Sequence, residues 1–100
     1  MFDRELYFSC PNTYGNFVTK IGFCAVGALI HASGHSKEEM QLFFGKSPRW
    51  DRVIKKFPLL KNLDDDQLEE IMKTNDRGHW HEARNDLLDL AIRSGVLEEI

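Results

Sequence analysis

Residues 23–30 read Phe-Cys-Ala-Val-Gly-Ala-Leu-Ile and form the longest uninterrupted apolar run of the chain. Small and apolar residues on nearly every side of a helix predict that the helix is buried. We expect this helix to extend from about Phe17 to Ala32 and to stop at Gly34. Its glycines and alanines would allow neighbouring elements to approach closely. The other elements are therefore expected to pack around this central helix.

Two further helices are predicted after the apolar run. Ser36 and Glu39 have the spacing of a capping box, which predicts a helix over residues 37–45. Ser47 stands before Pro48 as a second cap, with the proline at the first helical position, and the helix ends before the next proline. The apolar face of this helix consists of Trp50, Val53, Ile54 and Phe57.

The last third of the chain predicts another two helices. Asp64 and Gln67 form a second capping box, and the helix that they begin leads to a loop over residues 74–78. The final helix is expected over residues 79–94, with Gly95 as its stop. The inward positions of these two helices are Leu68, Ile71, Met72, Trp80, Ala83, Leu87, Leu90 and Ala91.

The predicted fold is all-α. It is a compact bundle of about five short helices over residues 17–97, preceded by an irregular N-terminal arm over residues 1–16. Within the arm, Leu6 to Phe8 fits either a short helix or a strand. The chain has 100 residues, 42% of them apolar, with no internal repeat and no linker. These features predict a single domain over residues 1–100.

Composition excludes several classes of protein. No apolar stretch approaches the roughly 20 residues that cross a bilayer, so no membrane partner is expected. The acidic start, with Asp3 and Glu5, differs from a secretory signal, and Cys10 and Cys24 fit reduced thiols. We therefore expect a cytoplasmic protein. Its formal net charge of -3 disfavours general binding to nucleic acid.

Two sequence blocks together resemble a known family. The first is Cys24 to Ile30 with Ala32 and Gly34, and the second is Asn75-Asp76 followed by Leu87-Leu88-Asp89-x-Ala91-Ile92. The resemblance is to an uncharacterised family of small bacterial and bacteriophage domains, a domain of unknown function. That family is marked by a Cys-Ala-(Leu/Val)-Gly-Ala-Leu block and a later Asn-Asp block before a Leu-Leu-Asp-x-Ala-(Ile/Leu) helix. Thr74 stands where the family has tryptophan. The resemblance implies an all-helical fold and no established activity.

Charge is distributed unevenly along the chain. Residues 46–61 contain six basic residues and one acid, a balance of +5, whereas residues 62–76 contain six acids and one base, a balance of -5. A basic helix of this kind can engage an acidic partner or a phosphate backbone, and the alternative is a solvated face with no partner. We expect the acidic turn from Asp64 to Glu70 to lie beside it and partly neutralise it. The predicted partner-binding cations are Arg49, Arg52, Lys55 and Lys56.

Asn75 and Asp76 are a second candidate for partner contact. On a loop, a paired amide and carboxylate would orient a ligand or partner. The structural alternative is that asparagine ends one helix and aspartate caps the next.

Cys24 supports an alternative in which the chain is an enzyme or binds a small ligand. A cysteine near a helix start is a candidate nucleophile, with His79 or His81 as base and Asn75 or Asp76 as the orienting group. The alternative for a cysteine among alanine, valine and leucine is a buried apolar residue.

We expect no metal and no cofactor. His31 and His35 have helical spacing, but Ser33 and Gly34 end the helix between them. His79 and His81 would point to different sides of a helix.

The favoured hypothesis is a small non-enzymatic protein-interaction domain. It would be an accessory or host-modulating factor of a bacterium or phage, and it would bind a macromolecular partner through its charged helix faces. A protein partner is favoured over nucleic acid, because the aromatic residues of the basic helix fall on its core face. Nucleic-acid binding through residues 46–61 and the Cys24-dependent alternative are kept, and self-association is left open.

Overall fold

The computed structural model describes residues 2–13, 17–19 and 22–97. These residues form six α-helices and a 3-10 turn, and none of them belongs to a strand. The helices are α1 (Arg4–Ser9), α2 (Ala25–Ala32), α3 (Lys37–Phe44), α4 (Trp50–Lys56), α5 (Asp65–Asp76) and α6 (Trp80–Arg93), and the turn is Pro58–Leu60. The all-α prediction is confirmed. The five predicted helices correspond to α2 through α6, and α1 is additional.

Helix α2 lies at the centre of the molecule, as its sequence predicts. It packs against α1, α5 and α6, and α5 and α6 pack extensively against each other. Gly27 explains how closely other chain segments approach it. A Cβ atom at this position would lie 1.9 Å from the Phe17 carbonyl oxygen, so a side chain would require the backbone to move. The expected close approach is therefore confirmed at Gly27.

The predicted helix start at Phe17 is wrong. Residues 17–19 and 22–24 are not helical, and residues 20–21 lie outside the described residues. Phe23 instead forms isolated β-bridges with Asn12 and Val18. Its amide donates to the Pro11 carbonyl at 2.9 Å, so this backbone is hydrogen-bonded to the arm rather than within a helix. Apolar periodicity alone did not distinguish the two arrangements.

The N-terminal arm contains a helix as well as irregular backbone. Asp3 caps α1 by accepting from the Leu6 amide at 2.9 Å, and the Asp3 amide donates to the Ala32 carbonyl at 2.7 Å. Tyr7 is fully buried. The ambiguity between helix and strand at residues 6–8 is thus resolved as helix. Residues 1 and 14–16 of the predicted arm lie outside the described residues.

The cap predictions hold at two helices and fail at one. Ser36 accepts from the Glu39 amide at 3.1 Å, and Asp64 accepts from the Gln67 amide at 2.9 Å. Ser47 does not cap α4, which begins at Trp50 with Arg49 in the cap position. Its amide donates to the Phe44 carbonyl at 3.0 Å and its φ is 50°, so Ser47 closes the end of α3.

Helices α2 and α6 end just before the glycines that were predicted to stop them. Gly34 and Gly95 have φ angles of 111° and 73°, in the left-handed region that favours glycine. In the part of the chain that the structure describes, no helix is long and apolar enough to cross a membrane.

Aromatic contacts join α3 and α4 to the rest of the molecule. The ring of Phe44 stacks on that of Phe17 with centroids 4.8 Å apart. Phe43 packs edge-on against the buried Phe57 at 5.6 Å. The contact with Phe57 holds the C-terminal end of α4 beside the C-terminal end of α3.

Candidate functional site

The predicted basic residues of α4 lie on an exposed face. Together with the end of α3 they form an open cleft of about 510 Å³. We call this the basic cleft, and it is lined by Phe43, Lys46, Arg52, Lys55 and Lys56. Arg49 is exposed and lies outside the cleft lining, where its Nε is 3.7 Å from Asp51 Oδ1. The structure thus brings three of the four predicted cations together and adds Lys46 and an aromatic ring.

The electrostatics of the basic cleft are dominated by cations. Lys56 Nζ lies 3.5 Å from Glu39 Oε1, and His35 Nδ1 lies 3.3 Å from the same oxygen. Burial raises the pKa of Glu39, but the hydrogen bonds and charges of His35 and Lys56 outweigh it and leave the pKa below its ordinary value. Within the described residues, the structure gives Lys46, Arg52 and Lys55 no ion pair.

The expected neutralisation by the acidic turn does not occur through ion pairs. Between the described residues, no ion pair joins residues 46–61 to residues 64–70. The physical reason is that α4 turns its apolar residues inward and its cations outward, away from the core. Two acidic side chains of α5 are paired within that helix, since Lys73 Nζ lies 3.7 Å from Glu69 and 3.6 Å from Glu70.

Asn75 is not at the surface, which corrects its assignment to partner contact. It is 1% exposed, its Oδ1 accepts from the Ala25 amide at 3.2 Å, and its Nδ2 donates to the Thr13 carbonyl at 3.3 Å. The side chain of Cys24, in the cap position of α2, makes no capping hydrogen bond. Asn75 therefore supplies an oxygen to the start of α2 from a distant helix.

Asp76 is exposed at the last residue of α5. The predicted loop over residues 74–78 is correspondingly shorter, because α5 continues through both Asn75 and Asp76. The structural alternative, in which Asp76 caps the next helix, is also wrong in detail, since His79 occupies the cap position of α6.

Cys24 is a buried residue at the start of α2. Its side chain is 1% exposed, and burial raises the pKa of its thiol to about 11 although the backbone amides of Gly27 and Val26 lower it. Desolvation thus outweighs the helix start, whose effect was expected to favour the thiolate. His79 and His81 are exposed, and no hydrogen bond within the described residues joins Cys24 to either. The exposed cysteine that the enzyme alternative requires is not observed.

The other two histidines, His31 and His35, contact nearby residues. His31 Nδ1 lies 2.8 Å from the His35 carbonyl oxygen, and the His31 ring stacks on Phe23 at 4.8 Å. Among the residues described, no group of three or more histidine, cysteine, aspartate or glutamate side chains is arranged to hold a metal ion.

Arg84 is the polar residue that sequence reasoning missed. It is 0% exposed, and its guanidinium donates to four backbone carbonyls at 2.5 to 3.2 Å. The acceptors belong to Tyr7, Cys10, Pro11 and Phe23. In return, the Tyr7 hydroxyl donates to the Arg84 carbonyl at 2.8 Å. Arg84 therefore joins α6 to the arm and to the residue before Cys24.

A sequence signal for this buried arginine exists. Arg84 lies four residues after Trp80 and three before Leu87, on the face of α6 that faces the core. Its guanidinium carbon lies 5.0 Å from the centroid of the Trp80 ring. Burial lowers the pKa of Arg84. Because its surroundings are the chain's own carbonyls, its role is to stabilise the fold.

Comparisons with models of protein families, with curated protein sequences and with solved structures found no match. The function is therefore inferred from the residues of this chain.

Proposed function

We propose that this chain is a small non-enzymatic interaction domain that binds an acidic segment of a partner protein in the basic cleft. The observation that carries the proposal is a set of three cations, Lys46, Arg52 and Lys55, that form no ion pair with any described residue and line the cleft with the ring of Phe43. Carboxylates of a partner would pair with these cations, and an apolar side chain between them would cover the ring.

The exposed cations and the Phe43 ring of the basic cleft would contribute to binding in different ways. Ion pairs at an exposed face mainly increase the association rate and select the sign of the partner. Burial of apolar surface against Phe43 adds affinity, and the guanidinium of Arg52 offers bidentate contact with a carboxylate. A cleft of about 510 Å³ suits a short segment and a transient complex.

A protein partner is preferred to nucleic acid for two reasons. The chain has a net charge of -3, which repels a phosphate backbone with a charge on every nucleotide more strongly than a short segment with a few carboxylates. The aromatic residue Phe57 of the basic segment is fully buried, so the cleft offers the half-buried ring of Phe43 alone rather than the successive aromatic rings on which bases stack. The resemblance of the sequence blocks to bacterial and phage domains extends the proposal to an accessory or host-modulating factor of such an origin.

The test is a titration of a fluorescent peptide composed of glutamate and leucine, followed by anisotropy. We expect saturable binding that weakens as salt is raised. Lys55→Glu should weaken binding by about tenfold, because it removes an attraction and adds a repulsion in the cleft. Lys61→Glu is the matched control: it makes the same charge change on an exposed residue outside the cleft, and affinity should stay within about twofold.

Three outcomes would contradict the proposal. The peptide fails to bind, or Lys61→Glu weakens it as much as Lys55→Glu does, in which case only overall charge matters. In the third outcome, a single-stranded oligonucleotide binds the cleft more tightly than the peptide and with a steeper salt dependence, which would establish the nucleic-acid alternative.

A further inference from the structure

The carboxylate of Glu39 is shared by a lysine of the basic cleft and a histidine. Lys56 Nζ lies 3.5 Å from Glu39 Oε1, and His35 Nδ1 lies 3.3 Å from the same oxygen. Lys56 is one of the residues that line the cleft. One carboxylate therefore holds a cleft cation and also contacts a side chain whose charge changes near neutral pH.

His35 is held beside this carboxylate by contacts with three elements. Its backbone carbonyl oxygen lies 2.8 Å from His31 Nδ1 on α2. Its ring packs edge-on against the buried Phe57, with centroids 4.8 Å apart, and Phe57 contacts the Phe43 ring that lines the cleft. The His35 side chain is half-buried, so it exchanges protons with solvent while its position next to Glu39 is fixed.

Three helices bring titratable groups to His35. His31 belongs to α2, Glu39 to α3 and Lys56 to α4. Of these groups, the lysine stays protonated between about pH 5 and pH 8, and Glu39, whose pKa lies below its ordinary value, stays ionised. A change in this range therefore comes from a histidine, and His35 is the histidine in contact with the carboxylate.

We propose that protonation of His35 releases Lys56 from Glu39 into the basic cleft. While the imidazole is neutral, Lys56 is the cation that pairs with Glu39. Once the ring takes up a proton, the imidazolium and the carboxylate form an ion pair, which weakens the attraction of Glu39 for Lys56. Lys56 Nζ then pairs with a carboxylate of the partner. The inference rests on the proposed function, because it concerns the regulation of the same cleft.

The expected change in affinity is modest. The side chains of His35, Glu39 and Lys56 are between 31% and 43% exposed, so solvent weakens each ion pair. We expect an acidic peptide to bind about threefold more tightly at about pH 5.5 than at about pH 8 and at constant salt. The glutamates of the peptide remain ionised over this range, so the change arises in the chain.

The experiment repeats the anisotropy titration with the glutamate and leucine peptide across this pH range. His35→Gln retains a side chain that can donate to Glu39 but takes up no proton, so its affinity should not change with pH. Glu39→Gln removes the charge that holds Lys56, so its affinity at about pH 8 should match that of the native chain at about pH 5.5. His81→Gln, an exposed histidine of α6 outside the cleft lining, is the matched control and should keep the native pH dependence.

A second measurement needs no peptide and separates this inference from the proposed function. The NMR signals of the His35 ring and of the Lys56 side chain are followed over the same pH range in the free chain. We expect both to shift with a common midpoint, and the Lys56 signals to stop responding in His35→Gln. If they shift in this way while the peptide binds at no pH, the proposed function is wrong and the release of Lys56 stands.

Three results would overturn the inference. The first is a Lys56 signal that does not follow the protonation of His35, whether or not the peptide binds. The second is a peptide that binds the native chain with the same affinity at every pH. The third is a pH dependence that survives His35→Gln, because His31 or another group would then control the cleft.

Discussion

Arg84 and the cations of the basic cleft carry the same charge in opposite surroundings. Arg84 is enclosed and bonded to four backbone carbonyls, with no carboxylate among its hydrogen-bond partners. Arg52 and Lys55 are exposed, and the structure gives them no ion pair in the described part of the chain. The difference separates two uses of a cation: the buried one satisfies backbone acceptors of the fold, and the exposed ones are open to a partner.

The largest loss of stability is expected from Arg84→Met, which removes the buried cation. The substitution removes the guanidinium donor from four carbonyls, of which that of Pro11 keeps the Phe23 amide as a donor, and we expect the free energy of unfolding to fall by about 3 to 5 kcal/mol. Urea unfolding measures the change. Arg93→Met, at an exposed residue of the same helix, should alter stability by no more than about 0.5 kcal/mol. A loss at Arg84 as small as this would mean that the four carbonyls find other donors.

A second effect is expected at alkaline pH, from the buried thiol. The pKa of Cys24 is about 11 in the fold, above its ordinary value of 9.0, so between these values the folded chain retains a thiol proton that the unfolded chain releases. Stability from this group is therefore complete below about pH 9 and is lost as pH rises towards 11, by roughly 2 to 3 kcal/mol. Unfolding free energies measured across this range test the sign, and Cys24→Ala should flatten the decline.

The rate of alkylation gives an independent test of the burial of Cys24. In the Cys10→Ser protein, Cys24 should be protected between about pH 5 and pH 9 and should react only after unfolding. Fast alkylation of the folded chain at neutral pH would contradict its burial and favour the enzyme alternative.

A smaller effect is expected at Asn75, where a buried amide plays a similar part to Arg84 without a charge. Asn75→Ala removes the acceptor for the Ala25 amide and the donor for the Thr13 carbonyl. We expect a loss of about 1 to 2 kcal/mol in thermal or urea unfolding. Asn85→Ala, exposed on α6, is the matched control, and an equal change in both variants would refute the role assigned to Asn75.

The features predictable from sequence are those set by a few neighbouring residues. Ser36 and Asp64 cap their helices as predicted, and Gly34 and Gly95 end theirs. Each of these signals acts within one helical turn, so no knowledge of distant contacts is needed. The clustering of Arg52, Lys55 and Lys56 is also local, because all three lie on one helix.

The features that escaped prediction depend on segments far apart in the chain. Residues 17–19 and 22–24 are not helical because their neighbours include residues 11 and 12, whose carbonyls lie against Gly22. Asn75 was assigned to the surface because its partners at Thr13 and Ala25 are invisible in local sequence. Phe43 joins the basic cleft only because α3 ends beside α4, a tertiary arrangement that the charge pattern does not contain.

The hydrogen bonds of Arg84 also bear on the order in which the chain becomes structured during synthesis. They join residues that are 61 to 77 positions apart. On the ribosome these four residues, Tyr7, Cys10, Pro11 and Phe23, are made first, yet the guanidinium that donates to their carbonyls belongs to the last helix. The N-terminal third of a nascent chain is therefore exposed to proteases and chaperones until α6 has been translated.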